Sequence, residues 1–74
     1  MKLTIEPTSQ IIELNGHKAR VWEGTTDRGT RVHLFVARVA IAKDEPPEAQ
    51  AVFDRELLEQ REPSVTWPMR LLID

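Results

Sequence analysis

The sequence predicts an α+β fold in which an antiparallel β-meander of four or five strands carries one amphipathic helix packed on one face. Three observations support it: alternating β-branched segments, an Asn-Gly hairpin signal at positions 15–16, and apolar residues at helical spacing after the prolines at 46–47. A chain of 74 residues has room for one core, so residues 1–74 are expected to form a single domain. The predicted element order is β-β-β-β-α-β.

The N-terminal region contains two predicted strands before the first hairpin turn. Residues 2–6 alternate in character and are expected to end at Pro7, because proline has no N–H for the ladder. Residues 10–14 form the second strand, and Asn15 and Gly16 then tolerate the positive φ angles of a type I′ turn. Residues 17–24 are the returning strand.

The pairing of this hairpin follows from its two-residue loop, which places Leu14 opposite His17 and Ile12 opposite Ala19. Side chains alternate between the two faces along each strand. One face therefore carries Ile12, Leu14, Ala19 and Val21, and the other carries Glu13, Lys18, Arg20 and Trp22. The apolar face is the predicted core.

The next strand, residues 30–42, is the longest predicted element, and the loop before it contains Gly29. It is β-branched and becomes apolar on both faces, which is typical of a strand that is covered on both sides. Two registers fit the sequence. A three-residue loop with a Gly29 bulge adds Leu34, Val36 and Arg38 to the Trp22 face, whereas a four-residue loop adds Arg31, His33 and Phe35.

The C-terminal region predicts a helix followed by a strand. Residues 47–61 are expected to be helical, with Pro47 in the first turn and Pro63 just beyond the end. The apolar stripe of this helix consists of Ala49, Val52, Phe53 and Leu57. Residues 65–73 form the last predicted strand, in which Pro68 favours an edge position or a bulge.

The composition indicates where and in what state the chain works. It has no cysteine, which fits a reducing cytoplasm, and no apolar stretch approaches the roughly 20 residues that span a bilayer. We therefore expect no membrane association. A small core without disulfides is commonly stabilised by self-association, so a homo-oligomer, in the simplest case a homodimer, is expected.

The charges are unevenly distributed along the chain. Residues 17–43 contain six lysines and arginines against two acids, whereas residues 44–63 contain seven acids against two arginines. Attraction between a basic sheet and an acidic helix, or solubility alone, explains this division without any ligand.

No familiar catalytic motif is present. His17 and His33 are the only histidines, and Ser9 and Ser64 have no nucleophile pattern around them. The three glycines lie in or beside hairpin turns, and no metal-ligand spacing occurs. We expect a protein that is not an enzyme and uses no cofactor and no metal. An enzyme would need an active site assembled between subunits from His17 or His33.

The second face of the first hairpin is the candidate binding surface, because cations and an aromatic ring alternate there along one strand. The candidate residues are Lys18, Arg20, Trp22, Arg31, His33 and Arg38. Tryptophan and arginine are enriched at protein-binding hot spots. The same mixture can stack a base and pair with a phosphate, so nucleic acid or a small anionic nucleotide is the alternative ligand. A purely structural alternative packs Trp22 under the N-terminal strand or the Trp67 segment, with arginine stems over it.

Four segments carry a resemblance to a known group of proteins: LTIEPT at 3–8, LNG at 14–16, ARVWEGTT at 19–26 and VARVA at 36–40. With them the chain resembles short uncharacterised proteins encoded by bacteriophages and prophages, best in its N-terminal half. These proteins have no motif with an assigned chemistry, so the resemblance supplies no catalytic residue. It implies an accessory protein that binds a host or phage protein partner, which is our leading hypothesis.

Overall fold

A computed structural model describes residues 1–72 as a small α+β domain with a mixed four-stranded sheet and one helix. The elements are β1 (Leu3–Leu14), β2 (His17–Thr26), β3 (Arg31–Val36), α1 (Pro47–Glu56) and β4 (Arg70–Leu71). The strand order is β3-β2-β1-β4. The first three strands form the predicted antiparallel meander, but β4 pairs parallel to β1. Because residues 3–14 form one strand and not two, the predicted β-β-β-β-α-β order is corrected to β-β-β-α-β.

β1 replaces the two separate strands predicted for residues 2–6 and 10–14. Pro7 lies within it, opposite Trp22, and the register shifts between Pro7 and Ile11. In the antiparallel ladder, the backbone groups of Trp22 point toward β3 and those of Pro7 point away from β2. The missing N–H of Pro7 therefore costs no bond between β1 and β2, and the strand continues through a bulge.

Both predicted hairpin turns form, and the second one selects a register. Asn15 and Gly16 take φ angles of 48° and 88°, and Leu14 lies opposite His17 as expected. In the second loop the Thr26 N–H donates to the Thr30 carbonyl at 2.9 Å. The loop is thus the three-residue alternative, which pairs Trp22 with Leu34. β3 ends at Val36, well before the predicted residue 42.

The core lies on the predicted face of the sheet, where Ile12, Ala19 and Val21 are buried. Four half-buried side chains pack against these three: Leu14, Phe35, Trp67 and Leu71. Two of the four belong to the segment that follows the helix. The core face is therefore covered by the C-terminal segment and not by the helix.

Helix α1 ends at Glu56 and not at residue 61 as predicted, and none of its residues is buried. Phe53 and Leu57 from the predicted stripe line a groove together with Trp22, on the sheet face opposite the core. The last strand is short, with Leu71 beside Leu14, and it occupies the predicted sheet edge. Residue 73, the predicted end of this strand, lies outside the described residues.

The molecule exposes more surface than its size requires. Its accessible surface is 6136 Å², whereas a compact monomer of 8.5 kDa is expected to expose about 4,650 Å². The radius of gyration of the Cα atoms is 13.7 Å, against about 11 Å for a compact chain of this length. Within residues 1–72, no helix is both long and apolar enough to cross a membrane.

Candidate functional site

Trp22 lies between two open hollows on the sheet face opposite the core. The larger hollow has a volume of about 520 Å³ and the smaller one of about 260 Å³. Both are lined by Pro7, Trp22, Val39, Leu57 and Gln60. Because they share these side chains, the two hollows adjoin and form one surface depression, which we call the Trp22 groove.

The two ends of the Trp22 groove carry opposite charges. The larger hollow is also lined by Glu6, Glu56, Glu59 and Arg61. Arg61 Nε lies 3.2 Å from Glu6 Oε2, so the positive charge of Arg61 is already engaged by a carboxylate, and Glu56 and Glu59 set the sign of that end. The smaller hollow is lined by Arg20 and Arg38. The groove therefore runs from an acidic end, past an aromatic ring, to a basic end.

The β1 bulge positions Arg20 at the basic end. Thr8 lies inside the bulge with no exposed surface, and its hydroxyl donates to the Val21 carbonyl at 2.7 Å. This anchoring orients the Thr8 carbonyl, which accepts a hydrogen bond from Arg20 Nη1 at 2.9 Å. One nitrogen of the guanidinium is thus committed to the fold, and its remaining N–H groups are available to a ligand.

The six candidate residues divide between the two faces of the sheet. Arg20, Trp22 and Arg38 meet at the smaller hollow. Lys18 lies on the same face and lines a shallow neighbouring hollow together with Arg20. The three-residue loop places Arg31 opposite Thr25 and His33 opposite Glu23, which is the core side of the sheet. Arg31 and His33 therefore do not join the Trp22 groove.

The structure reveals a polar cluster around Glu23 that the sequence reasoning missed. Glu23 is buried at 4% exposure, beside a hollow of about 590 Å³ that Arg31 also lines. Arg61 Nη1 lies 2.9 Å from Glu23 Oε1, and the Ser64 N–H donates to both carboxylate oxygens at 3.0 and 3.2 Å. His33 Nε2 lies 3.4 Å from Glu23 Oε2. Glu23 follows Ala19 and Val21 in the alternation along β2 and so falls on the core face. This alternation was the signal in the sequence that could have identified Glu23 as a buried residue.

The electrostatics of this cluster indicate an anchor. Burial raises the pKa of Glu23, but the hydrogen bonds from Ser64 and the positive charge of Arg61 outweigh that effect, so the pKa lies below its ordinary value. The carboxylate is therefore ionised, and both of its oxygens are already engaged. It joins β2 to the segment after the helix, and it has no oxygen in reserve for a substrate.

Trp67 completes the other side of the cluster. Its ring meets Phe35 edge to face at 5.1 Å and His33 at 5.3 Å between centroids. This packing covers the core face next to Glu23, on the other side of the sheet from the Trp22 groove, and Arg61 lines hollows on both sides. No family model matches the chain, and no curated protein or solved structure matches it either.

Proposed function

We propose that the protein works by binding an extended segment of a partner protein in the Trp22 groove, without catalysis. The observation that carries this proposal is the position of Trp22 between an acidic and a basic end of the groove. A half-buried tryptophan in a concave apolar site is a typical binding hot spot. The groove walls come from the sheet and from Phe53 and Leu57, so a ligand would contact both layers of the fold.

The charges of the groove favour a peptide over a nucleic acid. Phosphates would pair with Arg20 and Arg38 but would be repelled at the end formed by Glu56 and Glu59. A peptide can carry both signs of charge. The expected ligand has an apolar or aromatic residue against Trp22, a carboxylate toward the arginines and a cation toward the glutamates.

The test is selection of short peptides from a displayed random library against the purified protein. We expect the selected peptides to share an apolar residue between an acidic and a basic residue. Trp22→Ala should weaken a selected peptide by about 30-fold, the effect of losing a hot spot of about 2 kcal/mol. Lys18→Ala, on the same face but outside the groove, is the matched control and should leave affinity unchanged.

A charge reversal tests the orientation of the ligand. Arg38→Glu should reject the original peptides and accept those whose acidic residue is replaced by lysine. If no peptide is enriched, or if enriched peptides bind Trp22→Ala as tightly as the wild type, the groove is not the binding site.

Nucleic acid binding is separated from this proposal by salt. A single-stranded oligonucleotide bound at the arginines would lose affinity steeply as salt rises, because counterions are released on binding. We expect no oligonucleotide binding at physiological salt. Tight, salt-sensitive binding that is lost in Arg20→Ala and Arg38→Ala would replace the peptide proposal with a nucleic-acid one.

The biological setting in this proposal is a phage-type accessory protein acting in the cytoplasm of a bacterial host. It rests on the expectation, drawn from the sequence alone, that the segments at 3–8, 14–16, 19–26 and 36–40 resemble phage and prophage proteins, and on the absence of cysteine. The partner is then a host or phage protein that displays a short segment of the stated chemistry.

A further inference from the structure

We propose that two copies of this chain pair edge to edge through β3, with the two-fold axis at Leu34. β3 is an edge strand of the sheet, and it pairs with β2 on one side over its whole length, Arg31–Val36. Its other side offers backbone groups to a further strand. The inference rests on the outward backbone groups of β3, whereas the peptide groove lies on a face of the sheet, where Val36 of β3 also lines it.

The ladder shows which backbone groups of β3 face outward. Thr26 donates to Thr30, so this pair is hydrogen-bonded, and bonded pairs then alternate along the two strands. Val32, Leu34 and Val36 consequently bond to β2, whereas His33 and Phe35 direct their N–H and C=O groups away from it. Among residues 1–72, no hydrogen bond reaches these outward groups.

The edge lacks the features that usually prevent strand addition. The segment RVHLFV contains no proline and no lysine, and its six pairs with β2 follow one another without a register shift. An apolar edge of this kind is a template for another strand. β1 contrasts with it, because Pro7 and the bulge lie on its outer side and Arg61 pairs with it there.

A two-fold axis at Leu34 makes this edge complementary to itself. In that register Leu34 lies opposite its own copy and Val32 lies opposite Val36 of the second copy, which extends one apolar row across both sheets. His33 would exchange both backbone hydrogen bonds with Phe35 of the second copy. An axis one residue earlier, at His33, would instead place two histidines opposite each other.

The surface of the chain supports a partner of its own size. The exposed area of 6136 Å² exceeds that of a compact monomer of this mass by about 1,500 Å². A stable interface of standard size removes about 800 Å² from each partner. The excess is therefore large enough for one such interface, and the three buried apolar side chains of the core leave the monomer with little stability to spare.

The first measurement is the mass of the purified chain by sedimentation equilibrium over a range of concentrations. We expect the mass to rise from 8.5 kDa toward twice that value. Leu34→Lys places two like charges opposite each other at the axis and should weaken the dimer at least about tenfold. Circular dichroism of this variant checks that the fold is retained.

The second measurement uses the absence of cysteine from the chain, so that each variant carries a single thiol. Directly opposite Cβ atoms in a sheet lie about 4.5–5.5 Å apart, which is near the span of a disulfide. Leu34→Cys should therefore form a disulfide-linked dimer under mild oxidation. Val32→Cys is the matched control. In this register Val32 of one copy and Val32 of the other lie four residues apart along the strands, about 13 Å, which is too far for a disulfide.

Three results of these two measurements would contradict a dimer paired through β3. A mass that stays at 8.5 kDa at every concentration would overturn the proposal. So would a dimer that Leu34→Lys does not weaken, or cross-linking that is as efficient at Val32→Cys as at Leu34→Cys. Trp22→Ala, which should lose peptide binding, should still dimerise, and this result would separate the inference from the groove.

Discussion

At the scale of single residues, Gly24 marks a close approach between the backbones of β1 and β2. It was expected to lie beside a turn, but it is paired with Ile5 inside the sheet. A methyl group built on Gly24 would lie 2.7 Å from the Ile5 Cα and closer still to the Thr4 carbonyl oxygen. These are backbone atoms, so the contact cannot be relieved by rotating a side chain.

Gly24→Ala should therefore lower the free energy of unfolding by about 1–3 kcal/mol, the usual range for overpacking. Urea denaturation followed by circular dichroism measures this change. Gly29→Asn is the matched control, since Gly29 has φ 83° with open space around it and asparagine tolerates that conformation. Equal stability of the wild type and Gly24→Ala would mean that the two strands separate readily at this point.

Glu23 is the residue whose charge matters most to the fold. Its pKa is lower in the folded chain than its ordinary value of 4.5, so the unfolded state binds the proton more tightly. The stabilisation from Glu23 is thus fully present above about pH 4.5 and is lost as pH falls through the lower, folded-state pKa.

Glu23→Gln isolates this contribution from those of the other carboxylates. At neutral pH we expect the variant to be less stable by about 1–3 kcal/mol, because Arg61 loses its buried partner. The difference from the wild type should shrink when urea denaturation is repeated at progressively lower pH. A difference that stays constant through the acid range would show that the charge of Glu23 contributes nothing.

At the scale of elements, the C-terminal segment is held to the sheet by one side chain of β1. Gln10 donates from Nε2 to the Trp67 carbonyl at 2.7 Å and accepts from the Trp67 N–H at 3.2 Å. The side-chain amide thus imitates a backbone partner and satisfies both groups of Trp67. The sheet is extended in this way across residues where β4 itself is too short to pair.

Gln10→Ala should lower the free energy of unfolding by about 1–3 kcal/mol, the sum of two modest hydrogen bonds. In a Trp22→Phe background Trp67 is the remaining tryptophan, and its emission should shift to the red as its ring becomes hydrated. Gln50→Ala is the control, since Gln50 bonds Asp54 on the exposed face of α1 and its loss should cost less than about 0.5 kcal/mol. An unshifted spectrum in Gln10→Ala would contradict the role of this contact.

Local signals in the sequence predicted these elements far better than they predicted their neighbours. Asn15-Gly16 determines the first hairpin within a few residues, and its pairing is confirmed. The parallel pairing of Leu71 with Leu14 joins residues far apart in the chain, and no local pattern encodes it. The helix end was misplaced for a related reason, because Leu57 continues the apolar stripe although it is the C-cap, and the residues after it form only tighter turns.

The candidate site, too, was predictable only where local signals in the sequence determine it. The shared face of Lys18, Arg20 and Trp22 follows from strand alternation alone. Whether Arg31 and His33 join it depends on one residue in the second loop, and that residue moves them to the opposite face. The Glu23 cluster needs Ser64, which is 41 residues away, so only the folded chain reveals it.

At the scale of the whole molecule, the small core and the large surface belong together. Three buried apolar side chains and a helix with no buried residue leave much of the apolar surface in contact with water. A partner that covered this surface would stabilise such a domain. The groove and the β3 edge are the two places where such a partner would cover the exposed area.

The attachment of Trp67 to Gln10 also has a consequence for the order in which the chain folds. The three-stranded meander uses contacts between strands that are neighbours in the sequence, so it can form before residues 37–72 take their places. The core face of the meander then stays open to water until Trp67 and Leu71 dock on it, because these residues cover it. During that interval the partly folded chain carries an uncovered apolar sheet, so the docking of residues 67–71 decides whether it completes its fold or aggregates.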